Sequence, residues 1–417
     1  MVTRLRILVY EHVSGGGLAE KPVSPSILCE GFGMLRTVSA DFQAAGHSVT
    51  ISLDSRIFAF QPPIDADRIL PISTSNQYLQ VLKYTSKFVD AAFIIAPESQ
   101  GTLESIVSEM EDNCPKLMNS PHETISAVRC KDSLAEHART VGLVAPHSLT
   151  LKVRGNMSEA CKHIADEIGF PAIIKPLSDA GMSGLSLVKE KTELPEGIRK
   201  AAHESGGERF IAQEFAEGVP ASVSIVTTGQ KAMAMSLNKQ NIQLSGGSSP
   251  STYEGGQVPF EHTLKKEALN AAKQIVESYE GLKGYVGVDL VLSEEGPVII
   301  EVNPRLTTSY IGVREVTDYN PAQAILEAAL QHKLSGEAPS KGFASFSKVK
   351  TSVPSASALK QTYHWKDVVS PPFPISGSSP CVGLMCSNGA TPQEAAFQLE
   401  DAKNRLHHLS LPRSTER

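Results

Sequence analysis

The sequence predicts an α/β protein whose amino-terminal part is a parallel sheet flanked by helices, followed by α+β regions. Three observations carry this. Short apolar runs at Arg6–Tyr10, Ser48–Leu53 and Ala92–Ala96 alternate with helical stretches, roughly Ser26–Ala45, Asn76–Phe88 and Thr102–Met110. Such alternation implies parallel strands buried on both faces. Between Ala221 and Thr227 serine and valine alternate with period two, the pattern of an antiparallel strand with one solvated face. Finally, the chain has 417 residues, 41% hydrophobic and 20% charged, which is ordinary globular usage for two to four domains.

Several function classes are excluded early. Lys and Arg number 39 against 45 Asp and Glu, a net charge of −6. Nucleic acid and anionic membranes select basic surfaces, so neither is expected as a partner. The longest apolar runs, such as Ala91–Ala96, fall far short of the roughly 18 residues of a membrane span. The start MVTRLRILVYEHVSGGG reads as a first strand rather than a signal peptide. Cys29, Cys114, Cys130, Cys161, Cys381 and Cys386 show no CxxC or metal spacing, which suits buried thiols in a reducing cytosol. A cytoplasmic location is therefore expected.

On a parallel sheet, ligands gather at the carboxyl ends of strands. Two loops lie there: Glu11–Gly17 (EHVSGGG) and Pro97-Glu98. Gly15-Gly16-Gly17 reads equally as a flexible turn, and His12 is the one histidine beside a candidate site loop. A second region starts near Pro121. It holds helices at Ser133–Val141 and Glu159–Ile168, and strands at Ser148–Leu151, Phe170–Pro176, Leu185–Val188 and Arg209–Phe215. Lys231–Leu237 can pair with the Ser/Val strand around Thr228-Gly229-Gln230. Leu264, Ala268, Ala271, Ala272, Ile275, Val276 and Tyr279 fall at helical spacing and read as core. Beyond the helix Asn320–Leu334, Ser335–Gly342 is a small-residue linker to a small appended subdomain with Trp365 and a helix over Pro392–Leu406.

Gly284–Arg305 (GYVGVDLVLSEEGPVIIEVNPR) is the most informative segment and reads as a hairpin. If Leu292 pairs with Val298, Asp289 lies opposite Glu301, and Asn303 returns to that face. Val288, Leu290, Ile300 and Val302 would fill a core behind them. Close carboxylates repel unless cations bridge them, and hard oxygen ligands in this number suit magnesium, with phosphate oxygens and waters completing its shell. An ordinary edge pair neutralised by Arg305 is the competing reading.

Upstream, Lys131 opens a helix, and Lys175 ends a strand just before the small-residue loop Ser178–Ser186. Glycines let backbone N–H groups close around an anion that lysines neutralise. Gln213-Glu214-Phe215 ends another strand, where backbone groups could read an adenine edge. The order of lysine, lysine with small loop, QEF, carboxylate hairpin and Asn-Pro-Arg resembles the ATP-grasp ligases, from about Ser120 to Ala329. The most specific match is GVDLVL…IIEVNPR.

The resemblance implies an ATP-grasp fold with a Rossmann-like amino-terminal domain (1–119), an ATP-grasp region (120–334) and a small carboxy-terminal extension (335–417). The region divides into a central subdomain (about 145–217) and a large one (about 218–334). The resemblance further implies that Lys131 and Lys175 contact ATP phosphates under a closing loop containing Asp179, Gly181, Ser183 and Gly184. Gln213, Glu214 and Phe215 would line the adenine pocket. Asp289, Glu301 and Asn303 would hold two Mg²⁺ ions, which Mn²⁺ could replace, while Arg305 acts with Lys175 on the transferring phosphoryl group. The loop carries Met182 and Ser183 where richer glycine patterns are usual, and no acidic ribose contact is evident near Ala221 and Ser222.

A narrower resemblance, to the tyramine–glutamate ligases of methanofuran biosynthesis and their relatives in C1-metabolising bacteria, rests on YEHVSGGG, IAPES, SLNKQ and NPRLTTSYIGVR. It implies attack of a tyramine-like amine on the activated γ-carboxylate of L-glutamate. Ser14, Gly15, Gly16, Asn238, Gln240, Tyr253, Thr307, Thr308 and Arg314 are the substrate candidates, with Arg314 suited to pair with a carboxylate. The partners expected are small-molecule carboxylate and amine substrates, with a homodimer left open. Ligation of other amino acids, a nucleotide-binding regulatory protein and a structural subunit docking through 335–417 are the competing readings.

Overall fold

A computed structural model describes residues 4–129, 131–152, 156–177, 182, 184–205, 209–334, 340–375 and 380–410. The apolar runs of the first hundred residues form β1 (Arg6–Glu11), β2 (Ser48–Asp54) and β4 (Ala91–Ile95), joined by β3 (Arg68–Ile72) in a parallel sheet of order β3-β2-β1-β4. Alternate β1 side chains enter different cores, as a sheet covered on both faces requires. Ile7 and Val9 pack with Phe32, Leu35 and Val38 of the helix Pro25–Ala44. Leu8 and Tyr10 pack with Leu103, Ile106 and Met110 of the helix Thr102–Glu111. The edge strand β3 (RILPI) is not evident in sequence because Pro71 weakens the pattern, and edge positions are where a strand tolerates proline. The chain winds from β1 to β3 on one side and then places β4 on the other, so the carboxyl ends of β1 and β4 border a topological switch point.

A second, antiparallel sheet contains β5 (Ser148–Lys152), β6 (Ala172–Pro176), β7 (Ser186–Val188) and β8 (Arg209–Glu214) in the order β5-β8-β6-β7. Its core joins Ile174, Val188, Phe210 and Ala212 to Cys161 and Ile164 of the helix Met157–Glu167.

The third sheet has eight antiparallel strands. They are β9 (Val219–Thr228), β10 (Ala232–Gln243), β11 (Thr252–Val258), β12 (Lys283–Ser293), β13 (Gly296–Asn303), β14 (Phe343–Thr351), β15 (Val368–Ser370) and β16 (Cys381–Gly389), in the order β13-β12-β9-β10-β11-β14-β16-β15. Ala268, Ala271, Ala272, Ile275 and Val276 of the helix Lys265–Glu277 cover Ala221, Val223, Val286, Val288 and Leu290 on one face. The carboxy-terminal segment, expected as a small appended subdomain, continues the third sheet. Its strands extend this sheet from β11 outward, and Leu399, Ala402 and Leu406 of the helix Pro392–Ser410 pack on Val349, Val368 and Met385. At the junction Gly255 holds φ +133°, and a Cβ there would lie 2.0 Å from the Phe346 carbonyl oxygen.

The five described cysteines are free, buried thiols; Cys130 lies outside the described residues. Among the described residues no helix is long and apolar enough to cross a membrane. Ending the chain at Leu334 would remove β14, β15 and β16, bare the β11 edge and uncover Val258 and Ile311, which share a core with Phe346 and Leu384. We therefore predict that the truncated chain aggregates. A soluble, monodisperse product by size-exclusion chromatography with native circular dichroism would contradict this.

Candidate active site

Asn238 lies opposite Ser222, Ser222 opposite Asp289, and Asp289 opposite Glu301, so four polar side chains form one row across β10, β9, β12 and β13. The other face of these strands is the apolar one under the helix Lys265–Glu277. The predicted pairing of the two carboxylates is present, by a different route. Leu292 faces Pro297 rather than Val298, and a register shift beyond Asp289 compensates. Ile300 is the extra residue of this bulge, so Ile299 takes its expected place in the core with Val288, Leu290 and Val302.

Around the row most polar groups are paired. Gln240 Nε2 donates to Asp289 Oδ1 at 2.9 Å and Asn303 Nδ2 to Asp289 Oδ2 at 3.0 Å. Burial pushes the Asp289 pKa up to about 7, and the Glu301 charge adds to this against those hydrogen bonds and the field of Arg305. Asn238 Nδ2 donates to Ser224 Oγ at 3.0 Å, while its buried Oδ1 has no partner among the described residues. Tyr285 OH donates to Ser224 Oγ at 2.7 Å and lies 3.2 Å from Thr307 Oγ1. Ser309 Oγ lies 3.4 Å from Ser222 Oγ. The Ser/Val strand thus differs from expectation: Ser222 and Ser224 are buried, because the segment after β13 crosses their face. Asn238 and Gln240, two of the expected substrate residues, are strand residues, and Asn238 is fully buried.

Three parts of the chain meet here. Thr308 Oγ1 donates to Glu30 Oε2 at 2.7 Å, and Lys348 Nζ donates to Glu30 Oε1 and to Ser26 Oγ, each at 2.8 Å. The Lys348 ammonium also sits 5.4 Å from the Tyr253 ring centre. Burial, followed by the Glu30 and Asp289 charges, raises the Tyr253 phenol well above its ordinary pKa, so it stays protonated. Glu30 and Lys348 carried no sequence signal, since an isolated charge on an amphipathic helix or a strand looks like surface. Arg314 is a correction. Its Nε and Nη2 grip Asp41 at 2.7–3.1 Å, and Tyr310 OH donates to the same carboxylate at 2.6 Å. The guanidinium is engaged inside the protein rather than held ready for a substrate.

The loop after β1 is a packed turn, not a flexible one. Glu11 is buried and accepts from Val13 N, Ser14 N and Ser14 Oγ at 3.0, 2.7 and 2.7 Å. Ser14 is thereby committed, and a Cβ on Gly15 would lie 2.2 Å from the Glu11 carbonyl oxygen. Gly16 adopts φ +97°. All three expected substrate residues here are buried. His12 is buried beside Tyr10 OH at 3.2 Å. Burial first, then Lys21, lowers its pKa to about 4, leaving a neutral imidazole.

Arg305 joins the amino-terminal sheet to the hairpin. Its Nε donates to Glu98 Oε2 at 2.8 Å, its Nη1 to Leu306 O at 3.3 Å, and its Nη2 has no hydrogen-bond partner among the described residues. On the second sheet Lys175 is buried, with Nζ donating to Gln213 Oε1 at 2.9 Å, and Gln213 Nε2 reaches Ser148 Oγ at 2.8 Å. The nearby Glu214 side chain is exposed and Phe215 half-buried, while Gly184 is buried at the end of the small-residue loop. Met182 in that loop adopts φ +68°, a conformation that ordinarily favours glycine. Asp179, Gly181, Ser183 and the Lys131 side chain lie outside the described residues.

Among the described residues no cluster of three or more His, Cys, Asp or Glu could hold a metal by itself. Asp289, Glu301 and the Asn303 amide offer two carboxylates and a neutral oxygen. That donor set fits magnesium, which binds through one or two carboxylates and takes phosphate oxygens and waters for the rest.

Comparison with known proteins agrees with this geometry. Residues 131–309 match the family model described as an ATP-grasp domain. The chain carries an ATP-grasp domain. It is 27% identical over 351 residues to a tyramine–L-glutamate ligase of Methanocaldococcus jannaschii, covering 81% of this chain and 94% of that one. A tyramine–L-glutamate ligase of Methanocaldococcus fervens is 38% identical over 136 residues, covering 33% of this chain and 43% of that one. Among solved structures, the L-amino acid ligase from Bacillus licheniformis superposes with a TM-score of 0.65 at 15% identity, covering 96% and 97% of the two chains. The expected ATP-grasp fold and the resemblance to its ligases are borne out.

The raised Asp289 pKa has a measurable consequence. The native state holds this proton up to about pH 7, whereas an unfolded aspartate releases it near its ordinary value of 3.8. Between those limits the native state binds more protons, so rising pH lowers stability. In EDTA, wild type should therefore lose urea stability between pH 5 and 8 relative to Asp289→Asn. Parallel pH profiles for the two proteins would refute this.

Proposed function

We propose that this protein is an ADP-forming carbon–nitrogen ligase that joins the γ-carboxylate of L-glutamate to tyramine or a similar aryl-alkyl amine, in methanofuran-type cofactor biosynthesis in the cytoplasm. The observation carrying this reading is the Asp289–Glu301 pair beside Asn303 and Arg305, set within an ATP-grasp domain. The substrate pair is supported by the relative that this chain covers over 94% of its length.

A carboxylate is a poor electrophile. Transfer of the ATP γ-phosphoryl group onto it makes an acyl phosphate, whose phosphate is a good leaving group. Such transfer needs positioning and charge neutralisation more than covalent chemistry from the protein. Lys131 and Lys175 hold the ATP phosphates in this proposal, beneath the loop containing Asp179, Gly181, Ser183 and Gly184. Gln213, Glu214 and Phe215 line the adenine. Asp289, Glu301 and Asn303 hold two magnesium ions, or manganese in their place, which when bound neutralise the phosphate oxygens. The open Nη2 of Arg305 steadies the transferring group and then the oxyanion formed by amine attack. Thr307 and Thr308 follow the hairpin directly and place the glutamate carboxylate, with Tyr253 and Lys348 beside them.

The test is ADP release with ATP, Mg²⁺, L-glutamate and tyramine, with the product read by mass. A condensed product is expected, lost in Glu301→Ala, and Arg305→Ala should lower kcat by about 1,000-fold. ADP release with another carboxylate–amine pair would replace the substrates. Tight ATP binding without turnover on any pair would favour a regulatory role.

A further inference from the structure

We propose that Glu98 binds the ammonium group of the amine substrate and accepts its proton, an assignment that rests on the ligase reading above. Glu98 lies three residues beyond β4, at the switch-point edge of the parallel sheet, and reaches the hairpin through Arg305. The loop is pinned. Gly101 N donates to Glu98 O at 3.1 Å and Leu103 N to Pro97 O at 3.0 Å, while Gln100 takes φ +55°. One carboxylate oxygen, Oε2, accepts from Arg305 Nε. The other, Oε1, is buried and has no hydrogen-bond partner among the described residues.

A buried carboxylate oxygen left unpaired is costly, and a charge-assisted donor is what it lacks. Charge identifies the donor. Arg305 interacts with four carboxylates, those of Glu11, Glu98, Asp289 and Glu301. Glu11 is satisfied by three hydrogen bonds from its own loop. Asp289 and Glu301 belong to the metal-binding hairpin of the proposed function. Among the described residues, Glu98 alone of the four has a buried oxygen without a hydrogen-bond partner, and it lies beside the arginine assigned to the acyl phosphate. A primary ammonium is cationic, donates three hydrogen bonds and must come to this place to react.

The ammonium gives one proton to Glu98 Oε1, and the freed nitrogen lone pair forms the bond to the acyl carbon. The carbon–oxygen bond to phosphate then breaks, and its electron pair leaves with the phosphate. The second nitrogen-bound proton goes to that phosphate, and Glu98 passes its own to solvent.

Glu98→Gln keeps an oxygen for Arg305 and removes the charge. Each protein is assayed twice: for ligation to tyramine, and for glutamyl hydroxamate formation from hydroxylamine, which is neutral near pH 7 and needs neither a carboxylate partner nor a base. We expect kcat/KM for tyramine to fall by about 100-fold or more, with hydroxamate formation and the KM for ATP changed less than about threefold. An unchanged tyramine rate would overturn the assignment. Equal losses in both assays would do so too, by making Glu98 a positioning residue for Arg305. If thermal melting shows Glu98→Gln unfolded, Glu98→Asp is read in the same two assays, where the shorter acid should again impair tyramine selectively. Wild type that makes no glutamyl hydroxamate would instead overturn the glutamate-ligase reading, and this assignment with it.

Discussion

Two carboxylates facing each other across a hairpin set the terms for everything around them. Asp289 and Glu301 repel, and burial magnifies the repulsion, which is why the Asp289 pKa rises toward neutrality. The protein offsets part of this from three directions: Gln240 on β10, Asn303 on β13, and Arg305 just beyond. The remainder favours cations. A row fully neutralised by the protein would have little use for a cation; this one keeps carboxylate repulsion that a cation would relieve.

The same sheet face gathers parts of the chain far apart in sequence. Glu30 from the amino-terminal helix, Thr308 after the hairpin and Lys348 from β14 form one hydrogen-bonded group. Asp41 grips Arg314 and Tyr310, tying that amino-terminal helix to the helix Tyr310–Val316. Buried ion pairs stabilise little compared with well-packed apolar groups, but removing one partner strands the other. They therefore specify how the parts dock as much as how firmly. Here that docking brings the ends of β1 and β4 to the carboxylate row.

Local patterns made much of this legible. Apolar runs located β1, β2 and β4, and period two located β9. The opposition of Asp289 and Glu301 was readable too, although the assumed turn was one residue off and a bulge at Ile300 restored the pairing. What stayed hidden depends on tertiary contact. Alternating Ser and Val cannot tell a solvated face from one covered by a later segment, so Ser222 and Ser224 looked exposed. Arg314 looked available because its partner Asp41 is 273 residues away. Glycines 15 to 17 looked mobile, although their missing side chains are what lets the loop pack tightly over Glu11 and His12. In the carboxy-terminal segment, β14 and β16 are recognisable as members of the sheet only once β11 is there to pair with them.

The division of the site between segments bears on specificity. The family match ends at residue 309, and within it lie the lysines, the QEF strand end and the carboxylate hairpin, the parts suited to ATP. Glu11, Glu30, Glu98 and Lys348 all lie outside it, yet each is tied to the hairpin region through Arg305 or Thr308. A carboxylate and an amine must both reach the phosphoryl group from somewhere other than the nucleotide side. The available walls are the carboxyl edge of the parallel sheet and the strands contributed by the carboxy-terminal segment. The residues suited to ATP and these two walls thus come from different segments of the chain.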